Sequence, residues 1–155
     1  MHRLLVFTVL FATFMVFSAA FAANKTYVNP RFGTTATYPD DVFTKAEPAP
    51  ENGDGITLLS EDGASLRIWG QNNALDDTSG SLADGIATGL KGVTYRKVGA
   101  KWMVISGFVG TDIIYHRAEF GNQGTIHSFE LRYPSSLSKH YNRLAETIAD
   151  SLIGP

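Results

Sequence analysis

The sequence predicts an α+β domain with a central antiparallel sheet, a four-stranded meander within it, and packing by a C-terminal helix and a shorter middle helix. Three observations carry this. Four β-rich runs (93–98, 101–108, 113–119 and 125–133) are separated only by Gly99-Ala100, Gly110-Thr111 and Gly121-Asn122-Gln123-Gly124. Linkers this short cannot carry a helix back to a parallel neighbour, so consecutive runs must be antiparallel. Second, Leu137, Tyr141, Leu144, Ala145, Ile148 and Leu152 fall at helical spacing as one apolar stripe. Third, strands and helices do not alternate in the βαβ rhythm of a parallel sheet, and six or seven strands with two helices are expected.

The first element is an address. Met1-His2-Arg3 is short and basic, residues 4–17 are almost wholly apolar, and Ala20 and Ala22 are small residues at the −3 and −1 positions of a cleavage site. Residues 1–22 are expected to be a cleaved secretory signal, and residues 23–155 one domain. An uncleaved membrane anchor is the rival reading, because residues 4–22 approach the length needed to span a bilayer. Removing residues 1–22, which hold one Arg and no acid, leaves 133 residues with 12 basic against 15 acidic groups. The whole chain has 155 residues, is 44% apolar, carries a net charge of −2 and has no cysteine. No basic excess points to nucleic acid. The missing cysteine excludes disulfides, a thiol nucleophile and a Cys-based zinc site, and suits a bacterial periplasmic protein.

Along the mature chain, Asn29-Pro30 and Phe32-Gly33 mark a turn before a β-prone stretch at 34–38 that Pro39 ends. Residues 40–54, with Pro48, Pro50 and Asn52-Gly53-Asp54, read as a surface loop. Residues 55–60 and 64–69 flank Glu61-Asp62-Gly63 as a hairpin, with Leu66 and Ile68 on one face and Arg67 and Trp69 on the other. After a polar loop at 70–80, Leu82, Ala83, Ile86, Ala87 and Leu90 predict the middle helix, with Asp84 near its start. In the last run of the meander His127, Phe129, Leu131 and Tyr133 form a mostly apolar face. Pro134-Ser135-Ser136 then opens the final helix with a serine as N-cap.

With these elements placed, the chain resembles the PsbP/Mog1-like superfamily. The resemblance rests on an N-x-x-F-G-x-x-x-x-Y-P opening (Asn29, Phe32, Gly33, Tyr38, Pro39), then paired strands, a helix, a meander and a C-terminal helix. It implies a sheet packed between helices and a scaffold that binds other macromolecules. It implies no shared chemistry, and no family motif for functional residues is present.

Reactive constellations are sparse. A two-residue turn at Asn122-Gln123 predicts pairs summing to 245, which sets His127 opposite Ala118 and His116 opposite Phe129, as diagonal neighbours on one face. Two imidazoles there could share a metal ion, but no third ligand is visible, so no metal is expected. The same register sets Arg117 opposite Ser128 and Arg132 opposite Ile113. Ser106 lacks both a G-x-S-x-G frame and a strand-to-helix elbow. Carboxylates such as Asp54, Glu61 and Asp62 sit in turns, without the order of a calcium loop. No cofactor is implied.

Aromatics beside arginine are what interface anchors look like, so Trp69, Tyr95, Arg96 and Trp102, with His116 and His127, are the candidate binding residues. Pairs summing to 199 in the second hairpin would set Trp102 opposite Lys97 and Tyr95 opposite Val104, all on one face. The expectation is an exported, non-catalytic binding protein of the bacterial envelope, recognising an envelope protein or polymer. Nucleic acid is not expected as a partner, nor is a membrane once the signal is removed. A small hydrolase using carboxylates of residues 40–62, or an inhibitor inserting the loop at 47–55, are the alternatives.

Overall fold

The computed structural model describes residues 23–155, and the expected signal at 1–22 lies outside them. The fold is α+β. β1 (Asn24–Val28) and β2 (Thr35–Pro39) form a separate two-stranded ribbon. A seven-stranded antiparallel sheet is built from β3 (Lys45–Ala46), β4 (Gly55–Leu59), β5 (Ser65–Asn72), β6 (Val93–Val98), β7 (Trp102–Val109), β8 (Asp112–Phe120) and β9 (Thr125–Pro134), in the order β3-β4-β5-β9-β8-β7-β6. The expected meander is β6 to β9. The expected hairpin is β4–β5, and its β5 joins the meander by pairing antiparallel with β9. α1 (Ser79–Ala87) and α2 (Ser138–Ser151) lie on opposite faces of this sheet.

The ribbon grows from the Asn29 turn. Asn29 is 1% exposed, and its Oδ1 accepts from the Arg31 and Phe32 amides while its Nδ2 donates to the Tyr27 hydroxyl and the Gly53 carbonyl. Gly33 follows at φ +68°, a conformation that glycine adopts without steric cost. Tyr38 and Pro39 then enter the interior. The N-x-x-F-G…Y-P opening is therefore a turn specification followed by a core anchor.

The larger core lies on one face of the sheet. Leu58, Leu66, Ile68, Phe129, Leu131 and Tyr133 meet Ala36 and Tyr38 of the ribbon and Tyr141, Ala145 and Ile148 of α2. The stripe foreseen for the last helix is thus the buried one. Its start differs, because Ser135–Leu137 forms a 3₁₀ turn and α2 begins at Ser138 with no side-chain cap. On the other face α1 seals a smaller core of Ala83, Met103, Ile105, Ala118 and Ile126. α1 starts three residues earlier than its apolar pattern suggests, because Thr78 and Ser81 form a reciprocal capping box. Asp84 consequently sits in mid-helix and not in the first turn.

Both hairpin registers differ from expectation. β8 and β9 pair with sums of 246: Gly121 N–H donates to Thr125 O, and Gly124 at φ +67° closes a three-residue loop. One residue of slip moves every side chain of a strand to the other face relative to its partner. His116 therefore opposes Glu130, and His127 opposes Glu119, so the two histidines lie on opposite faces of the sheet and do not form a pair. Arg117 opposes Phe129, and Arg132 opposes Ile114. From Tyr95 onward β6 and β7 pair with sums of 201, after an irregularity between Val93 and Tyr95, setting Trp102 across from Gly99 and Tyr95 across from Ser106. A slip of two keeps the face, so Tyr95, Lys97 and Trp102 still share one. Trp102 lies so close over Gly99 that an added Cβ would come within 2.2 Å of its Nε1.

Candidate binding surface

The six candidate residues fall into four places. Tyr95 and Trp102 lie on the α2 face, where the helix packs on the ribbon, β9 and β8 and leaves the exposed strand β6 uncovered. Tyr95 is 43% exposed and Trp102 half-buried. Each ring carries a cation: Lys97 Nζ is 5.6 Å from the Tyr95 centroid, and the Arg117 guanidinium is 4.4 Å from that of Trp102. Arg117 also pairs with Glu119, which fixes its plane over the indole. Between this surface and α2 runs an open groove of about 390 Å³, floored by Tyr95, Ser106, Ile113 and Tyr115 and walled by Asn142 and Glu146. Asn142 Oδ1 accepts from the Tyr133 hydroxyl at 2.7 Å, leaving the amide N–H groups to donate. Burial pushes the Tyr115 phenol up to about 12; Arg117 opposes this, while Tyr95, Glu146 and Asp150 add to it. Tyr115 is therefore a neutral donor at any physiological pH.

Arg96 points to the opposite face. It pairs with Asp84 of α1 at 2.7 Å, which makes it a fastening between the edge strand and the helix. Its sequence neighbour Tyr95 looks the other way because successive side chains of a strand alternate.

Trp69 and His116 also lie on the α1 face, beyond the reach of the helix. Their rings meet edge-on at 5.2 Å, and Arg67 covers the Trp69 ring at 4.5 Å, so Trp69 is 7% exposed. His116 is 6% exposed and neither ring nitrogen has a hydrogen-bond partner; Nδ1 stands 3.5 Å from Glu130 Oε2. The contact is an electrostatic approach, too long for a well-formed hydrogen bond. The neighbouring imidazole holds the Glu130 carboxyl below its ordinary range, burial opposes this, and Arg67 and Arg132 help.

His127 is a core residue. It is fully buried, with Nδ1 2.8 Å from Thr34 Oγ1 and Nε2 3.0 Å from Thr125 Oγ1, and Gly121 and Gly154 press on its ring. Burial pushes its imidazole down, against smaller opposing effects of the Pro155 backbone and Glu119. It fastens the C-terminal segment over the sheet and offers nothing to a ligand.

Among the described residues no group of three or more His, Asp or Glu is placed to hold a metal ion. A second cleft of about 330 Å³ gathers Asp41, Glu61, Asp62 and His140. Asp62 is already committed there. Ser60 and Tyr141 each donate to Oδ1 at 2.5 Å, and those hydrogen bonds hold its carboxyl below the ordinary range. Asp54 accepts from Asn52 at 2.8 Å, and Asn52 O accepts from Arg31, so the acidic end of the loop at 47–55 is tied to the Asn29 turn.

Sequence reasoning set Lys97 on this face with Tyr95 and Trp102 but missed Arg117 and Tyr115 as members of the candidate surface. Their signal lay in the β7–β8 pairing, which sets Arg117 opposite Val104 and Tyr115 opposite Ser106 on the face of Trp102, and it required the register of that hairpin. No helix among the described residues is long and apolar enough to cross a membrane.

No family model and no curated protein sequence matches the chain. Among solved structures the fold is similar to the solution structure of cyanobacterial PsbP (CyanoP) from Synechocystis sp. PCC 6803. The TM-score is 0.54 and the identity 14%, over 88% of this chain and 95% of that one. At that identity the likeness is one of fold, and in that sense the domain is PsbP-like.

Proposed function

We propose that the chain is an exported, non-catalytic binding protein of the bacterial envelope, recognising another envelope protein or polymer through the open half of the α2 face. The observation that carries this reading is the exposed Tyr95 and half-buried Trp102, each overlaid by a cation, on the part of the α2 face that the helix leaves uncovered, beside a groove of about 390 Å³. Aromatics and arginine concentrated at one solvent-facing patch are the composition of binding anchors. The basic start and small-residue end of residues 1–22 support export, and the N-x-x-F-G…Y-P opening supports a place in the wider PsbP/Mog1-like superfamily. A PsbP-like fold supports a scaffold reading, but fold alone names no partner.

The test is affinity capture by the 23–155 domain from an envelope extract, compared with a Tyr95→Ala/Trp102→Ala variant. The expected result is a specific partner retained by the natural chain and weakened about 30-fold or more by the double substitution, as for loss of a buried anchor. Recovery of the same partner by both would defeat the assignment of the surface. The hydrolase alternative has one observation in its favour, the meeting of Asp41, Glu61, Asp62 and His140 in a cleft. Turnover abolished in Asp62→Asn would establish it in place of the binding reading.

A further inference from the structure

The seven-stranded sheet has two edges of different character. One is β3, only two residues long. The other is β6, in which all six residues, VTYRKV, are exposed. A long open edge presents a row of unpaired backbone donors and acceptors. Which residues present them follows from the ladder. Gly99 N–H donates to Trp102 O, and in an antiparallel pair the inward-pointing residues alternate. Lys97 therefore points its amide and carbonyl at β7, while Arg96 and Val98 point theirs outward, away from the sheet.

Charge adds a second, independent observation. Residues 91–101 contain Lys91, Arg96, Lys97 and Lys101, and no acid occurs anywhere from Gly85 to Thr111. A chain of net charge −2 thus carries four of its 13 basic groups along one strand and the two turns that bound it. Among the described residues only Arg96 of these four has an ion-pair partner, Asp84, and Lys101 donates to the Asn122 amide oxygen. The concentration opposes pairing with a second β6, because Arg96 and Lys97 would meet their own copies. It favours an occupant of opposite sign.

We propose that β6 takes an extended acidic segment of a partner polypeptide as an eighth strand. The segment's backbone pairs with Arg96 and Val98, and its carboxylates meet Lys97 on the α2 face and the lysines of the flanking turns. This is strand addition, in which main-chain hydrogen bonds supply affinity and alternate side chains supply specificity. It deepens the binding reading above and rests on it, since an added strand would lie directly beside Tyr95 and the groove.

The probe is a labelled ten-residue peptide alternating glutamate and valine, with a lysine–valine counterpart as control. Titrated against the 23–155 domain, the acidic peptide is expected to bind saturably and at least about tenfold more tightly than the basic one. Amide exchange should slow at Arg96 and Val98. Lys97→Glu should narrow the preference for the acidic peptide. Val98→Pro, which removes an outward donor and leaves the β6–β7 bonds in place, should abolish binding.

Equal binding of both peptides, or protection confined to residues outside β6, would overturn the proposal. So would a polyphosphate that competes fully without slowing the β6 amides, or self-association through β6. If Val98→Pro fails to fold, exchange in the natural chain still decides. In the capture experiment, a partner lost with Tyr95→Ala/Trp102→Ala but kept with Val98→Pro preserves the binding reading and overturns strand addition. An extract that yields no partner defeats the binding reading, while the peptide titration judges the edge separately.

Discussion

At His127 the chain places an ionisable ring where no water reaches it, satisfies both nitrogens with threonine hydroxyls, and covers the ring with Gly154. A Cβ at Gly154 would stand 2.2 Å from the imidazole carbons, so Gly154→Ala must displace either the C-terminal segment or the ring. We expect it to cost about 1–3 kcal/mol in urea unfolding, the usual range for overpacking. The same burial makes stability depend on pH. The folded-state pKa lies below that of the unfolded chain, about 6.5, so the unfolded state binds the proton first. The contribution is fully present above about pH 6.5 and is lost as pH falls through the folded value. Unfolding midpoints at pH 7.5 and 5.5 should therefore differ, with the natural chain weaker at 5.5, and His127→Asn should reduce the difference. Equal slopes in both proteins would show that the ring is not the titrating group.

At the scale of the element, α2 and α1 hold the two faces by different means. α2 has no side-chain cap and depends on Tyr141, Ala145 and Ile148 entering the larger core, with Tyr141 stacked on Tyr133 at 5.2 Å. Ile148→Ala should cost about 2–5 kcal/mol, as a cavity in a fully buried site does. α1 is capped by Thr78 and Ser81 and is tied to β6 through Asp84 and Arg96, whose side chains are 73% and 40% exposed. An ion pair so hydrated contributes little, and Arg96→Ala should change stability by less than about 1 kcal/mol. A loss as large as that of Ile148→Ala would mean that the pair organises α1. The hairpins carry the same lesson about elements. Gly124 at positive φ turns an expected two-residue loop into three, and that single residue reverses the faces of His116 and His127 relative to one another.

Across the whole molecule, tyrosines brace the large core. Burial pushes Tyr115, Tyr133 and Tyr141 up to about 12, with Asp62 adding to the effect at Tyr141 and Tyr115 at Tyr133. In the unfolded chain each would ionise near pH 10. Their contribution is therefore complete below about pH 10 and lost as pH rises toward 12. Thermal midpoints should hold to about pH 10 and then drop, while the phenolate absorbance of these three appears only as the protein unfolds. Three phenols ionising near 10 in the folded protein would contradict the packing described.

The strands of the meander, the apolar stripe of α2 and the turn-and-anchor opening at Asn29 to Pro39 were legible in the amino-acid order, because period, turn chemistry and capping act over a few residues. The placing of His127, Phe129, Leu131 and Tyr133 on one mostly apolar face was legible for the same reason, whereas the full burial of His127, expected as a binding residue, was not. Tertiary contacts alone decided the remainder. β1 and β3 lack apolar alternation and form because a neighbour supplies their hydrogen bonds. β5 pairs with β9 because a shared core face brings together residues some sixty positions apart. The β8–β9 register depends on φ at the single loop residue Gly124, which composition does not reveal. The candidate surface separated for that reason: Tyr95 and Trp102 stayed together under a slip of two, whereas His116 and His127 parted under a slip of one, since side chains of a strand repeat every second residue.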